Sequence, residues 1–210
     1  RSTLFPYTTL FRSEIPTVAF VGRITRQKGL PHFLQAIKQI PADSQVVLCA
    51  GAPDTPEIEK EVRKLVDELS AERSGIIWIE EMLPHDQLVN ILSAAHVFVT
   101  PSIYEPMGIV NLEAAAMELP VVGTATGGIP DCIAEGETGY LVPIEQLTDG
   151  SGTPTNPEKF HRDMAERITK LIEDPELAKK MGKAGRKRVE EKFSWQTVAD
   201  KTVELYRSLL

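Results

Sequence analysis

Two carboxylates, Glu105 and Glu113, stand eight positions apart around Gly108 in the run Glu105-Pro106-Met107-Gly108-Ile109-Val110-Asn111-Leu112-Glu113, where a loop pattern turns helical. Folding alone has little use for that arrangement. A glycine lets backbone approach a ligand closely, and the residues after it, Ile109 and Val110, bring the unpaired amides and positive dipole end of a new helix. Glu113 falls in the first turns of that helix. There an ionised carboxylate, which only accepts hydrogen bonds, can take them from two adjacent hydroxyls of a sugar. The chemistry this points to is recognition of sugar and phosphate.

A second run, Gly22-Arg23-Ile24-Thr25-Arg26-Gln27-Lys28-Gly29, follows an apolar stretch and precedes a helical one, a position where α/β proteins hold phosphates. It lacks both Gly-x-Gly-x-x-Gly and Gly-x4-Gly-Lys-Ser/Thr, which excludes the usual dinucleotide and triphosphate readings. What remains is a glycine-flanked loop presenting a planar Arg23 fork and a mobile Lys28 charge, enough to neutralise a pyrophosphate. The same loop also reads as a plain strand-to-helix turn with exposed basic residues. Thr124-Ala125-Thr126-Gly127-Gly128-Ile129-Pro130-Asp131 is a further glycine loop. Its Thr126, Gly127 and Gly128 are candidates to meet a phosphate or hydroxyl through exposed amides, or to form a tight turn with unusual dihedrals. Ser102 joins them as a further candidate. The four histidines, His32, His85, His96 and His161, read as capping, packing or surface residues.

These residues need a scaffold, and the chain spells one. From Ile15 onward short apolar runs alternate with longer amphipathic ones, which predicts a parallel sheet covered by helices. Strands are expected at Thr17 to Val21, Gln45 to Ala50, Ile76 to Ile79, Val97 to Thr100, Val121 to Gly123 and Gly139 to Val142. Helices are expected at Pro31 to Ile40, Pro56 to Ser70, Pro84 to Ala95, Gly108 to Glu118, Glu158 to Glu173, Pro175 to Lys192 and Trp195 to Leu209. The result is an open, doubly wound α/β unit with helices on both faces. Ligands bind such sheets beyond the strands' carboxyl ends, so the loops from Gly22, Gly51, Glu80, Pro101 and Thr124 are the candidates. Pro143 to Pro157 reads as an ordered excursion or a mobile loop, and the last helix as one that packs on something outside the chain.

Composition sets outer bounds. With 210 residues, 42% hydrophobic and 25% charged, the chain supports one large domain. The net charge of -7 argues against a sequence-independent grip on nucleic acid or an anionic membrane, so an anion site must be local. Cys49 and Cys132 lack metal-ligand spacing and read as reduced thiols. No run reaches the roughly 18 apolar residues of a membrane span and no signal peptide is present, so no stable membrane insertion and a cytoplasmic location are expected. Residues 1–13 repeat Thr-Leu-Phe without any acidic residue, and read as a non-native lead such as a cloning scar, or else a short β-prone segment.

In order and spacing, Gly22-Arg23 with Lys28-Gly29, Pro101-Ser102 followed by Glu105-Pro106-x-Gly108 and Glu113, and Gly127-Gly128-Ile129 with Gly136-x-Thr138-Gly139 resemble the donor half of the GT-B glycosyltransferases. The similarity is to glycosyltransferase family 4 and its bacterial glycogen synthase-like members, and it runs from Ile15 to Leu210. It implies a Rossmann-like nucleotide-sugar domain over residues 14–193, with the helix at 194–210 packing toward an N-terminal, acceptor-binding half that this chain lacks. It also implies roles. Arg23 and Lys28 match the pair on the donor diphosphate, Glu113 the carboxylate on the nucleotide ribose, and Glu105 the acidic residue near the donor sugar. Gly108, Ile109 and Val110 match the helix start whose backbone meets the donor; the Gly127-Gly128 loop mostly shapes the site.

The implied reaction is retaining transfer of a hexose from a nucleotide diphosphate sugar, the substrate, to a glucan or other sugar acceptor, with no cofactor and no divalent metal. On that pattern this half alone binds donor without turnover. Pro143 to Phe160 and Phe193-Ser194-Trp195 resemble the actinobacterial glycogen synthase-like branch, which uses ADP-glucose. A mannosyl- or other hexosyltransferase with a GDP- or UDP-sugar, and a nucleotide-sugar binding module without turnover, stand as alternatives. A glycosidase pair made of Glu105 and Glu113 does not fit, since Glu113 lies a turn into a helix.

Overall fold

The computed structural model describes residues 15–209, so the expectations for residues 1–13 lie outside the described residues. Six strands, β1 (Thr17–Arg23), β2 (Gln45–Gly51), β3 (Ile76–Ile79), β4 (Val97–Thr100), β5 (Val121–Thr124) and β6 (Gly139–Val142), form one sheet in the order β3-β2-β1-β4-β5-β6. Every pairing is parallel. The chain winds outward from β1 to β3, then returns to lay β4 beside β1 and winds the other way. Connections therefore diverge between β1 and β4, which opens a crevice at their carboxyl ends.

Side chains alternate across the sheet and divide the core in two. Val18 and Phe20 of β1, with Val46 and Leu48 of β2, pack under α1 (Leu30–Ile37), α2 (Pro56–Glu72) and α6 (Pro157–Glu173). Ala19 faces the other way, with Phe98 and Val121, against α3 (His85–Ala94), α4 (Ile109–Ala116) and the single turn α5 (Ile129–Cys132). Phe33, Leu34, Leu48 and Phe98 are fully buried, each contributing about 1.5–3 kcal/mol from area removed from water. Two more helices follow, α7 (Pro175–Lys192) and α8 (Trp195–Ser208).

Helix ends have local causes. Thr55, Asn156, Asp174 and Ser194 cap α2, α6, α7 and α8 through their side-chain oxygens. By contrast α1, α4 and α5 start from Gly29, Gly108 and Gly128 with no side-chain cap. Helix α1 stops at Ile37, short of the expected Ile40, because Arg73 draws the carbonyls of Ile37, Pro41 and Ser44 onto its guanidinium at 3.1, 3.0 and 2.6 Å. Helix α4 stops at Ala116, and Glu118 follows it in the left-handed region with φ 60°. The Pro143 to Pro157 segment is the ordered excursion of the two alternatives. Leu147 N donates to Thr153 O at 2.9 Å, Thr155 N to Glu145 O at 2.8 Å, and Gln146 Nε2 fastens the segment to Ile103 O at 2.6 Å. Helix α8 has no buried residue, and Trp195 is 88% exposed.

Candidate functional site

The Gly22, Pro101 and Thr124 loops interlock at the carboxyl edge of the sheet. Two glycines make this contact possible. A Cβ on Gly29 would lie 1.9 Å from Pro101 O, and one on Gly127 would lie 1.9 Å from Glu105 O; both residues also have positive φ, 66° and 53°. Backbone bonds complete the join: Ile103 N donates to Gln27 O at 2.9 Å, and Gly128 N to Glu105 O at 2.9 Å. The amide of Gly128 is therefore spent on the neighbouring loop, and that loop acts as a buttress beneath Glu105. Thr126 forms part of the turn, accepting from Ile129 N at 3.2 Å.

This interlock brings Lys28 and Glu105, 77 residues apart, into an ion pair at 2.6 Å, with side-chain exposures of 28% and 8%. Ser102, fully buried, donates to the same carboxylate at 3.3 Å. Arg23 lies on the loop's other arm. Its guanidinium pairs with Asp54, on a β2 loop that is itself zipped to β1's end by Ile24 N to Gly51 O at 2.9 Å and Asp54 N to Ile24 O at 3.1 Å. Beyond Gly108, the amides of Ile109 and Val110 have no acceptor among the described residues, so the α4 N-terminus presents donors and a positive dipole end. Glu113, half-buried on α4, has no side-chain partner among the described residues.

Three contributors carried no sequence signal of their own. Asp54 holds Arg23. Asn111, 1% exposed, accepts from Thr100 Oγ1 at the end of β4, while its Nδ2 lies buried without a partner behind Gly108. Val21, Gly22, Cys49, Met82 and Leu83 line a mainly apolar cavity of about 180 Å³ at the ends of β1, β2 and β3, beside Arg23. Burial pushes the Cys49 thiol up to about 12, which leaves it a neutral, unreactive wall. Burial, with the Asp131 charge, likewise raises Cys132 to about 11. The histidines stand elsewhere: His32 Nδ1 meets His161 Nε2 at 2.9 Å between α1 and α6, and His96 Nδ1 accepts from Thr17 N at 3.1 Å.

An open parallel sheet with its switch point between β1 and β4, helices on both faces and glycine-anchored loops at its carboxyl edge is the Rossmann-like architecture of one half of a GT-B glycosyltransferase. The family model "Glycosyl transferases group 1" matches residues 8–188, and the chain belongs to that family. It is 49% identical over 194 residues to the alpha-maltose-1-phosphate synthase of Mycolicibacterium smegmatis, covering 92% of this chain and 48% of that protein. Among solved structures, it resembles the sucrose-phosphate synthase of Thermosynechococcus elongatus with a TM-score of 0.78 and 32% identity, over 97% of this chain and 48% of that one. It also resembles the C-terminal domain of a glycosyl transferase group 1 protein from Francisella tularensis, with a TM-score of 0.68 and 26% identity, over 87% and 89% of the two chains. The chain thus spans about half the length of the curated relatives it matches, 48% in the first case.

Proposed function

We propose that this domain holds the donor of a retaining hexosyltransferase whose acceptor sits on an N-terminal half, and that the donor is ADP-glucose. Arg23 and Lys28 bind the diphosphate, the Gly108 turn and the amides of Ile109 and Val110 share its charge, Glu113 takes the ribose hydroxyls, and Glu105 lies by the transferred sugar. The observation that carries this reading is the Lys28–Glu105 pair at 2.6 Å beside the start of α4, where a Cβ on Gly108 would lie 3.2 Å from Glu105 Cγ and the amides of Ile109 and Val110 have no acceptor among the described residues.

As the bond between sugar and phosphate breaks, negative charge gathers on the leaving diphosphate and the sugar becomes oxocarbenium-like. Fixed cations bind that charge more strongly than the ground state, which lowers the barrier. Loss of Arg23 or Lys28 costs about 3 kcal/mol of barrier in the intact enzyme, the scale of a lost oxyanion donor. In this reading the two side chains do the charge-neutralising work for which other transferases use a divalent metal.

Glucose as the transferred unit is supported by the 49% identical relative, whose name denotes a phosphorylated disaccharide of glucose. The same name favours, as a second reading of the acceptor, a glucosyl phosphate in place of a glucan chain end. Calorimetric titration of this chain with ADP-glucose, UDP-glucose and GDP-mannose tests the donor. Tightest binding of ADP-glucose, lost in Glu113→Ala, is expected; a GDP-mannose preference selects the mannosyl alternative, and no binding of any of the three sinks the assignment.

A further inference from the structure

We propose that Arg188, on α7, is a positioning residue that fixes the Gly127-Gly128 loop from behind and, through it, Glu105 and Lys28. The link to donor binding rests on the functional reading above.

Helix α5 is a single turn of four residues, so the carbonyls at its end have no following turn to receive amides. Arg188 supplies what the helix lacks. Its Nη2 donates to Asp131 O at 2.8 Å and its Nε to Cys132 O at 3.3 Å, across separations of 57 and 56 residues. A planar guanidinium can hold two adjacent carbonyls at once, and its charge meets the negative end of the turn. Its Cζ lies over the Phe193 ring, 5.8 Å from the centroid, at the junction of α7 and α8, which limits its swing.

The front of α5 presses on the site. Gly128 N bonds to Glu105 O at 2.9 Å, Cys132 Sγ to Met107 O at 3.2 Å, and the approach of Gly127 to the Glu105 carbonyl leaves no room for a Cβ. Glu105 in turn holds Lys28 at 2.6 Å. Arg188 is thus the far end of an unbroken series of contacts, Arg188 to α5 to Glu105 to Lys28, and it touches no residue that meets the donor. Releasing two carbonyls from a charged donor lets the turn shift, and the carbonyl of Glu105 loses its fixed partner.

The test compares Arg188→Met, Arg188→Lys and Lys187→Met in this chain, Lys187 being an exposed neighbour on α7 that pairs with Glu191. Amide hydrogen exchange reads the loop without any ligand. Arg188→Met is expected to speed exchange at Gly128 about tenfold while β1 and α6 amides keep their rates, with partial recovery in Arg188→Lys, which retains one charged donor. ADP and UDP are the binding probes, and the tighter of the two should weaken about tenfold in Arg188→Met and remain unchanged in Lys187→Met. Unchanged Gly128 exchange in Arg188→Met, or an equal rise throughout the domain, overturns the proposal. So does unaltered probe affinity alongside faster exchange. If neither probe binds the unaltered chain, the donor reading falls, and the exchange result still decides the role of Arg188 in the loop.

Discussion

Lys28 and Glu105 hold each other in a place where neither is well solvated, and that decides what their replacement does. A buried pair adds little net stability, but removing one partner leaves an uncompensated charge, at a cost of about 3–5 kcal/mol. With the Glu105 side chain only 8% exposed, Lys28→Met should cost about 3 kcal/mol in urea unfolding. Lys28→Met combined with Glu105→Gln should recover most of that loss. A single-variant cost below about 1 kcal/mol would mean that the pair is solvated and the site looser than described. The same pairing gives the donor reading a physical basis, because a diphosphate entering beside Lys28 finds an ammonium group already aimed.

At the scale of elements, α1 links the site to the rest of the domain, running from Gly29 to its contact with α6. There His32 and His161 share one hydrogen bond. Burial, then the neighbouring His161 and Arg26, lower His32 to about 4, and burial lowers His161 as well. The unfolded chain protonates His32 near pH 6.5 and the folded one only near pH 4. Stability is therefore full above pH 6.5 and falls as the pH drops from 6.5 toward 4, by at most about 3 kcal/mol for His32. His32→Gln should flatten that slope in thermal unfolding between pH 7 and 4; an unchanged slope would place the acid sensitivity elsewhere.

Elements were also what the sequence made most legible. All six strands stand within two residues of their expected ends, because strands buried on both faces read as uninterrupted β-branched and apolar runs. Local turn chemistry likewise marked the loops that hold Arg23, Lys28 and Glu105. Side-chain pairs across long separations leave no periodicity to read. The hold of Asp54 on Arg23, of Arg73 on the end of α1 and of Arg188 on α5 emerges only once the sheet order is known. The Gly127-Gly128 loop illustrates the limit: two glycines in sequence suit a ligand-binding amide pair, whereas here the Gly128 amide bonds to Glu105 O.

At the scale of the whole molecule, α8 carries an apolar surface that the described residues leave uncovered. Trp195, Val198, Leu205 and Tyr206 stand exposed at 88, 45, 58 and 64% on α8, which buries nothing. A helix with no buried residue contributes little to the domain alone. Truncation after Phe193 should therefore move the melting temperature by no more than about 2 °C, and a larger drop would show that α8 belongs to this core. No helix among the described residues is long and apolar enough to cross a membrane.

In the proposed donor complex a nucleotide diphosphate sugar lies across the switch point between β1 and β4, its phosphates on Arg23, Lys28 and the start of α4. A crystal structure of this chain with ADP-glucose tests it most directly. The diphosphate is expected within hydrogen-bonding distance of Arg23, Lys28 and the Ile109 and Val110 amides, and the ribose hydroxyls on Glu113. A nucleotide bound elsewhere, or bound there with its phosphates turned away from both cations, would contradict it.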